Sequence, residues 1–152
     1  GDRKEALYRE ILKIEGLKPL PGAIELFGAL KAAGVGMAVG TSTPRENVDT
    51  VIGLIGAEGF FDAIVAAEDV SHGKPDPEVF LKGAEALGAA PGDSVVFEDA
   101  GYGIEAAIRG GMKAVALTTT HERGHFSDPS PHRIVKDLSE VSLDMLRGLW
   151  ED

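Results

Sequence analysis

Short apolar runs alternate with amphipathic helical stretches along nearly the whole chain, and that alternation leaves few folds open. The runs "VGMAVGT" (35–41), "FDAIVAAED" (61–69), "SVVFED" (94–99) and "KAVALTT" (113–119) have strand length, and "RIV" (133–135) is a shorter fifth candidate. Between them lie helical patterns: "AIELFGALKAAG" (23–34) with Gly34 as its stop, "STPRENVDTVIGLIG" (42–56), "DPEVFLKGAEALG" (76–88) and "GIEAAIRGG" (103–111). In the second of these, Thr43 reads as the N-cap and Pro44 as the first helical position. A last helix is expected around "SLDMLRGLW" (142–150), with Trp150 as a packing residue. Strands and helices alternating at this spacing specify an α/β protein with a doubly wound parallel sheet.

With 152 residues, the chain is one domain's worth of sequence and can bury a sizeable core. Twenty-five acids against fifteen bases give a net charge of −10, which argues against non-specific binding to nucleic acid or to an anionic membrane. Cysteine is absent, so disulfides, thiolate metal sites and cysteine nucleophiles are excluded. That is compatible with a cytoplasmic protein, and no stretch reads as a membrane span or a signal peptide.

In a doubly wound sheet the chemistry collects at the carboxyl ends of the strands. Those ends carry Thr41 and Ser42, Glu68 and Asp69, Glu98 and Asp99, and Thr118 to Thr120, with Lys74 in the loop after the second of them. Adjacent acids such as Glu98 and Asp99 at the end of an apolar strand repel each other unless positive charge sits close by. Hydroxyls, a lysine and carboxylates converging on one sheet edge suit a phosphate with a divalent cation, and hard oxygen ligands favour Mg²⁺. Taken singly, Lys74 reads as a surface lysine and Thr41 to Thr43 as a helix cap; their company gives the pattern its weight. His72, His121, His125 and His132 fall in loop segments and read as surface histidines. Glu68 and Asp69 read as electrostatic neighbours of the pocket.

Three motifs in order carry a resemblance to a known family: "GMAVGTSTP" (36–44), "HGKPDPEVF" (72–80) and "VVFEDAGYGIEAAIRGGM" (95–112). Together the chain resembles the haloacid dehalogenase-like (HAD) hydrolases, in the branch of β-phosphoglucomutase and sugar-phosphate phosphatases. The resemblance implies a Rossmann-like core, a small phosphorylated metabolite as substrate, Mg²⁺ as cofactor, and phosphatase or phosphomutase activity. It implies that Thr41 binds a phosphoryl oxygen, with Ser42 and Thr43 lining the pocket. Lys74 neutralises the phosphoryl group and the nucleophile, and Asp99 with Glu98 holds the metal. Ala100 stands where many relatives have Ser.

The family's nucleophile is the first Asp of an Asp-x-Asp motif on the first, central strand, and no Asp-x-Asp occurs before Thr41. The first residue is Gly1, and "DRKEALYREILKIEG" (2–16) already reads as an amphipathic helix. The expectation is therefore a remnant of the last cap helix at residues 1–16, followed by a core domain at 17–152 that lacks its first strand. As it stands, such a chain is catalytically incomplete. A separate N-terminal fragment, a swapped segment from another copy or a re-paired sheet is expected to close the gap between the Thr41 and Glu98 strands. A second class of function is a dinucleotide-binding module, since Gly101-x-Gly103-x-x-Ala106 follows a strand. A third is a phosphate- or metal-binding module without turnover.

Overall fold

The computed structural model describes residues 17–151, and the helix expected over residues 2–16 lies outside them. The elements are α1 (Ala23–Ala32), β1 (Ala38–Gly40), α2 (Arg45–Leu54), β2 (Ala63–Val65), α3 (Glu78–Ala86), β3 (Val95–Glu98), α4 (Gly101–Arg109), β4 (Lys113–Leu117), β5 (Arg133–Val135) and α5 (Leu143–Arg147). The alternation therefore holds from α1 to β4, and β5 follows β4 with only a 3₁₀ segment, Arg123–Phe126, between them. No helix among the described residues is long and apolar enough to cross a membrane.

The strands are shorter than the apolar runs that announce them. The run at 61–69 yields only three strand residues, because the chain turns into a 3₁₀ segment at Ala67–Asp69 and the Asp69 carboxylate takes the Ala66 N–H at 2.8 Å. At the other end, Met37 donates its N–H to Asp62 Oδ2 at 3.0 Å and accepts from the Asp62 N–H at 2.7 Å, which fixes the register before the ladder begins. Gly34 ends α1 with φ +75°, a left-handed conformation that residues bearing a Cβ rarely adopt.

All pairings among the described strands are parallel, but they form two sheets: β1–β2, and β3–β4–β5. The register runs Val39 opposite Ile64 in the first sheet, and Phe97 opposite Val115 and Ala116 opposite Ile134 in the second. β4 is the covered centre of the larger sheet, with Ala114 to Leu117 all buried. Its period-2 alternation sends Val115 and Leu117 into a cluster with Leu26, Leu30 and Leu146, on the side of α1 and α5. Ala114 and Ala116 face Ala84, Ile104 and Ala107, on the side of α3 and α4. Alanine on both strand and helix brings α4 close against the sheet and fixes where its first turn stands.

β1 and β3 do not pair. Between them lies an apolar slot of about 920 Å³, walled by Ala38 and Val39 on one side, Val95 and Phe97 on the other, and Leu30 and Phe80 from the flanking helices. Residues 38–40 are therefore only half-buried, despite their apolar character and interior place in the strand order. Open edges facing a gap are what the motif order leads one to expect, and the described strands have not re-paired to close it.

One edge contact is made by a side chain. His132 accepts the Ala114 N–H on Nδ1 at 3.0 Å while its own N–H donates to the Ala114 carbonyl at 2.8 Å, extending the β4–β5 ladder by one position. Nδ1 must stay unprotonated to do so. Burial, and then the nearby Lys113 charge, hold the imidazole below its ordinary value of 6.5. A depressed histidine favours the unfolded state once the pH falls below the unfolded value, because the unfolded chain then binds the extra proton. Stability is thus expected to fall as the pH drops below about 6.5. Thermal unfolding followed from pH 8 to pH 5 should show a shallower acid slope for His132→Asn, whose side-chain oxygen can accept without titrating. An identical slope in both proteins would remove His132 from the account.

Candidate functional site

Lys74 organises the site. Its ammonium contacts Glu98 Oε2 at 2.7 Å and lies 3.5 Å from the Gly40 carbonyl oxygen, so one side chain reaches the carboxyl ends of both β1 and β3. Two residues it meets, Gly40 and Phe80, line the slot. The pair is buried, with 8% and 10% of the lysine and glutamate side chains exposed. The Phe80 ring lies 4.9 Å from the ammonium, a cation–π distance. Burying two charges is unfavourable unless geometry and further hydrogen bonds compensate. Here Glu98 Oε1 also accepts the Asp99 N–H at 3.1 Å, so both carboxylate oxygens are engaged.

Asp99 follows at the top of β3, half-buried and next to the first turn of α4. Its Oδ2 accepts the Thr120 hydroxyl at 2.7 Å. Burial works to raise its pKa, but the Thr120 hydroxyl, followed by Glu98, the local backbone and the Lys74 charge, outweighs that and holds it below the ordinary carboxylate value. Asp99 is therefore anionic at neutral pH, with Oδ1 making no hydrogen bond to the described residues. That suits Mg²⁺, which is commonly held by one or two carboxylates with waters and substrate oxygens completing the octahedron. No cluster of three or more metal-ligating side chains occurs among the described residues, so a closed protein cage is not what this site offers.

Thr41 directly follows β1, with its N–H donated to the Val65 carbonyl and its hydroxyl 3.0 Å from that of Thr43. Ser42 and Thr43 follow it, exposed, on the same sheet edge. Thr43 is not the helix cap that the sequence suggests. The N-cap position of α2 falls to Pro44, and the Glu68 carboxylate accepts the Arg45 N–H at 3.0 and 3.2 Å. The Thr43 hydroxyl is left to Thr41, because the longer Glu68 side chain, from the 3₁₀ segment after β2, takes the helix end. Nor do Glu68 and Asp69 act as free neighbours of the pocket. Asp69 pairs with the Arg45 guanidinium at 2.6 Å, so both acids are committed to fixing α2.

Gly103 shows why the glycine-rich turn is needed. A Cβ built there would lie 2.0 Å from Glu98 Cγ and 2.3 Å from Oε2. The space that a dinucleotide's pyrophosphate would use is filled by the Glu98 side chain, so the likeness to a nucleotide fingerprint has a different physical cause. Ala100 caps α4 without a side-chain hydrogen bond, as expected where a hydroxyl is missing.

Sequence reasoning missed Thr120 as the partner of Asp99, which lies 21 residues away. It also gave the four loop histidines no contact with one another, whereas His121 and His125 stack with ring centroids 3.8 Å apart. His125 Nε2 lies 3.4 Å from where a Cβ on Gly101 would stand, against the first turn of α4. The four-residue spacing of the two was the available signal.

Gly103→Ala is expected to push Glu98 off Lys74, with a destabilisation of about 1–3 kcal/mol typical of overpacking. Chemical denaturation measures the loss, and NMR of the Lys74 ammonium should show it freed. An unchanged lysine signal would mean that the pair does not depend on that vacancy.

A family model described as haloacid dehalogenase-like hydrolase matches residues 2–117. The chain is 37% identical over 147 residues to validoxylamine A 7'-phosphate phosphatase of Streptomyces hygroscopicus subsp. limoneus, covering 93% of this chain and 68% of that protein. Its structure is similar to that of a HAD hydrolase, family IA, variant 3, from Entamoeba histolytica, with a TM-score of 0.90, 27% identity, and coverage of 99% of this chain and 69% of that one. The fold is also that of β-phosphoglucomutase from Clostridium difficile, with a TM-score of 0.76, 23% identity, and coverage of 86% and 55%. The chain spans 55–69% of the length of these three proteins. By the three motifs, the fold and the family match, the chain belongs to the haloacid dehalogenase-like hydrolases.

Proposed function

We propose that this chain is the core of a Mg²⁺-dependent phosphatase for a small phosphorylated metabolite, working through an aspartyl-phosphate. The observation that carries it is the Lys74 ammonium, held between the Glu98 carboxylate and the carbonyl of Gly40, a residue that lines the slot. A strand seated in that slot, parallel to β1 and β3, would end beside Lys74. An aspartate at that end is the proposed nucleophile, supplied by a companion or swapped segment that completes the sheet. The described residues belong to the core domain of such an enzyme. The relatives' phosphatase names support hydrolysis, in which water rather than a sugar hydroxyl accepts the phosphoryl group.

The chain's own residues supply positioning and charge. Thr41 donates its hydroxyl to a phosphoryl oxygen, with Ser42 and Thr43 lining the same edge. Lys74, held in place by its pairing with Glu98, neutralises both the phosphoryl oxygens and the attacking carboxylate. Asp99 would hold the metal directly. Glu98, with both oxygens engaged, serves the metal site through Asp99 and Lys74. When bound, Mg²⁺ supplies Lewis-acid stabilisation of charge on the phosphoryl oxygens. The attacking carboxylate forms the new P–O bond as the metabolite's oxygen leaves with a proton from a second acid, and water then cleaves the acyl phosphate.

With the strand supplied, as a peptide or in a longer protein, Mg²⁺-dependent phosphate release from sugar phosphates is expected, and without it none. Asp99→Asn and Lys74→Ala should each lower that rate by about 10²-fold or more. Full turnover in either variant, or turnover by the chain alone, would overturn the assignment. Metal and phosphate binding with no turnover in any form would favour a binding module.

A further inference from the structure

We propose that Glu78 is a positioning residue: its carboxylate clamps the loop that carries Lys74 and so sets where the ammonium meets Glu98. This rests on the reading of Lys74 as the cation of the phosphoryl-transfer centre.

Lys74 comes from an irregular segment, residues 70–77, between the 3₁₀ segment Ala67–Asp69 and α3. None of these residues joins a strand, and Ser71, His72, Gly73 and Pro75 are exposed. Loops of this kind move more than the elements they connect. Yet the Lys74 ammonium is buried and held 2.7 Å from Glu98 Oε2, which requires a fixed backbone beneath it. The second half of the loop is held by the Asp76 N–H on the Gly73 carbonyl at 3.0 Å and by Arg109 Nη1 on the Pro75 carbonyl at 3.2 Å. The first half is held by Glu78.

Glu78 is the first residue of α3, and its side chain turns back towards the loop. Its Oε1 and Oε2 accept the Ser71 N–H at 3.1 and 3.0 Å, and Oε1 accepts the His72 N–H at 3.0 Å. His72 Nδ1 lies 3.3 Å from the same oxygen. One turn on, Lys82 pairs with Oε2 at 3.1 Å and donates to the Asp69 carbonyl at 2.6 Å, which ties the start of the loop to the same carboxylate. The helix end is served separately, since the Glu78 N–H donates to Asp76 Oδ1 at 2.9 Å. The Ser71 N–H, followed by the Lys82 ammonium, pulls the Glu78 carboxyl down to about 2, so the clamp is anionic at neutral and mildly acid pH. Charge-assisted hydrogen bonds of this kind are about twice as strong as neutral ones. Only Gly73 separates the clamped His72 from Lys74, so slack at Ser71 and His72 passes directly to the ammonium. A misplacement of about 1 Å at such a group costs about 10²-fold in rate.

The test is ¹⁵N NMR of the lysine ammonium groups in this chain, with backbone ¹⁵N relaxation. In the wild type, Lys74 is expected to give a signal protected from hydrogen exchange, with residues 71–76 as rigid as the sheet. Glu78→Gln keeps the side chain's size and removes its charge. Exchange of the Lys74 ammonium should then rise about tenfold, as loss of charge-assisted bonds predicts, while β3 and β4 amides stay in place. Lys82→Met alters an exposed side chain and should act in the same direction by a smaller factor; it carries the test if Glu78→Gln does not fold. Lys74 protection that stays at the wild-type level in whichever variant folds, even with Ser71 and His72 amides shifted, would overturn the proposal, since Glu78 would then merely close the loop. With the missing strand supplied, Glu78→Gln should lower kcat about tenfold, in step with the freed ammonium. A freed Lys74 with undiminished turnover would leave the clamp standing and sink the reading of Lys74 as the phosphoryl-transfer cation instead.

Discussion

The buried Lys74–Glu98 ion pair is the constraint on which the rest of the site depends. An ammonium and a carboxylate this far from water are tolerated only when every remaining donor and acceptor is used. The fold uses them: the Asp99 N–H takes the second glutamate oxygen, the Gly40 carbonyl faces the ammonium, and the Phe80 ring lies below it. Each partner comes from a different element, so the pair ties β1, β3 and the start of α3 into one rigid edge. Gly103 belongs to the same arrangement, because the glutamate side chain lies where any larger residue's Cβ would stand.

That edge also explains why the slot ends where it does. β1 and β3 are held apart along their length, yet their carboxyl ends are joined through Lys74. An unpaired strand edge in a protein interior leaves backbone donors and acceptors without partners, at roughly 1–3 kcal/mol for each one out of reach of water. A parallel strand in the slot would satisfy both edges at once and cover Val39 and Phe97. Its last residue would meet the only ammonium among the described residues that spans the two sheets. The geometry that asks for a strand thus also sets which of its residues would be chemically useful.

Much of this was legible in the sequence, and the failures have physical causes. Alternating apolar runs and helical patterns specified the parallel α/β architecture, because period and length are local properties. The strand ends carried Thr41, Lys74 and Asp99 to one edge, because topology alone places the carboxyl ends of parallel strands together. What local pattern could not show was which of several acids would reach which donor. Glu68 reads like Glu98 in sequence, each opening an acidic pair after an apolar run, yet one caps a helix and the other binds a lysine. The difference lies in contacts 23 and 24 residues apart. Thr43 lost its cap role to the same competition, and Thr120 gained its role from a loop whose path no periodicity encodes. Trp150 was read as packing, and instead stands 43% exposed with its indole N–H on the Gly92 carbonyl.

Charge balance connects the pair to the chemistry. Lys74, Glu98 and Asp99 together carry one negative charge, because the Thr120 hydroxyl and the lysine keep Asp99 ionised in spite of its burial. A net negative site does not receive a phosphate monoester. A divalent cation on Asp99 would reverse the sign to one positive, and the incoming carboxylate and phosphoryl oxygens would then meet an attractive field from two sides. Bound to Lys74 and to the Asp99 backbone, Glu98 holds the ammonium in place with both of its oxygens hydrogen-bonded. Two adjacent acids at a strand end, which repel in isolation, are thereby given separate tasks by one lysine.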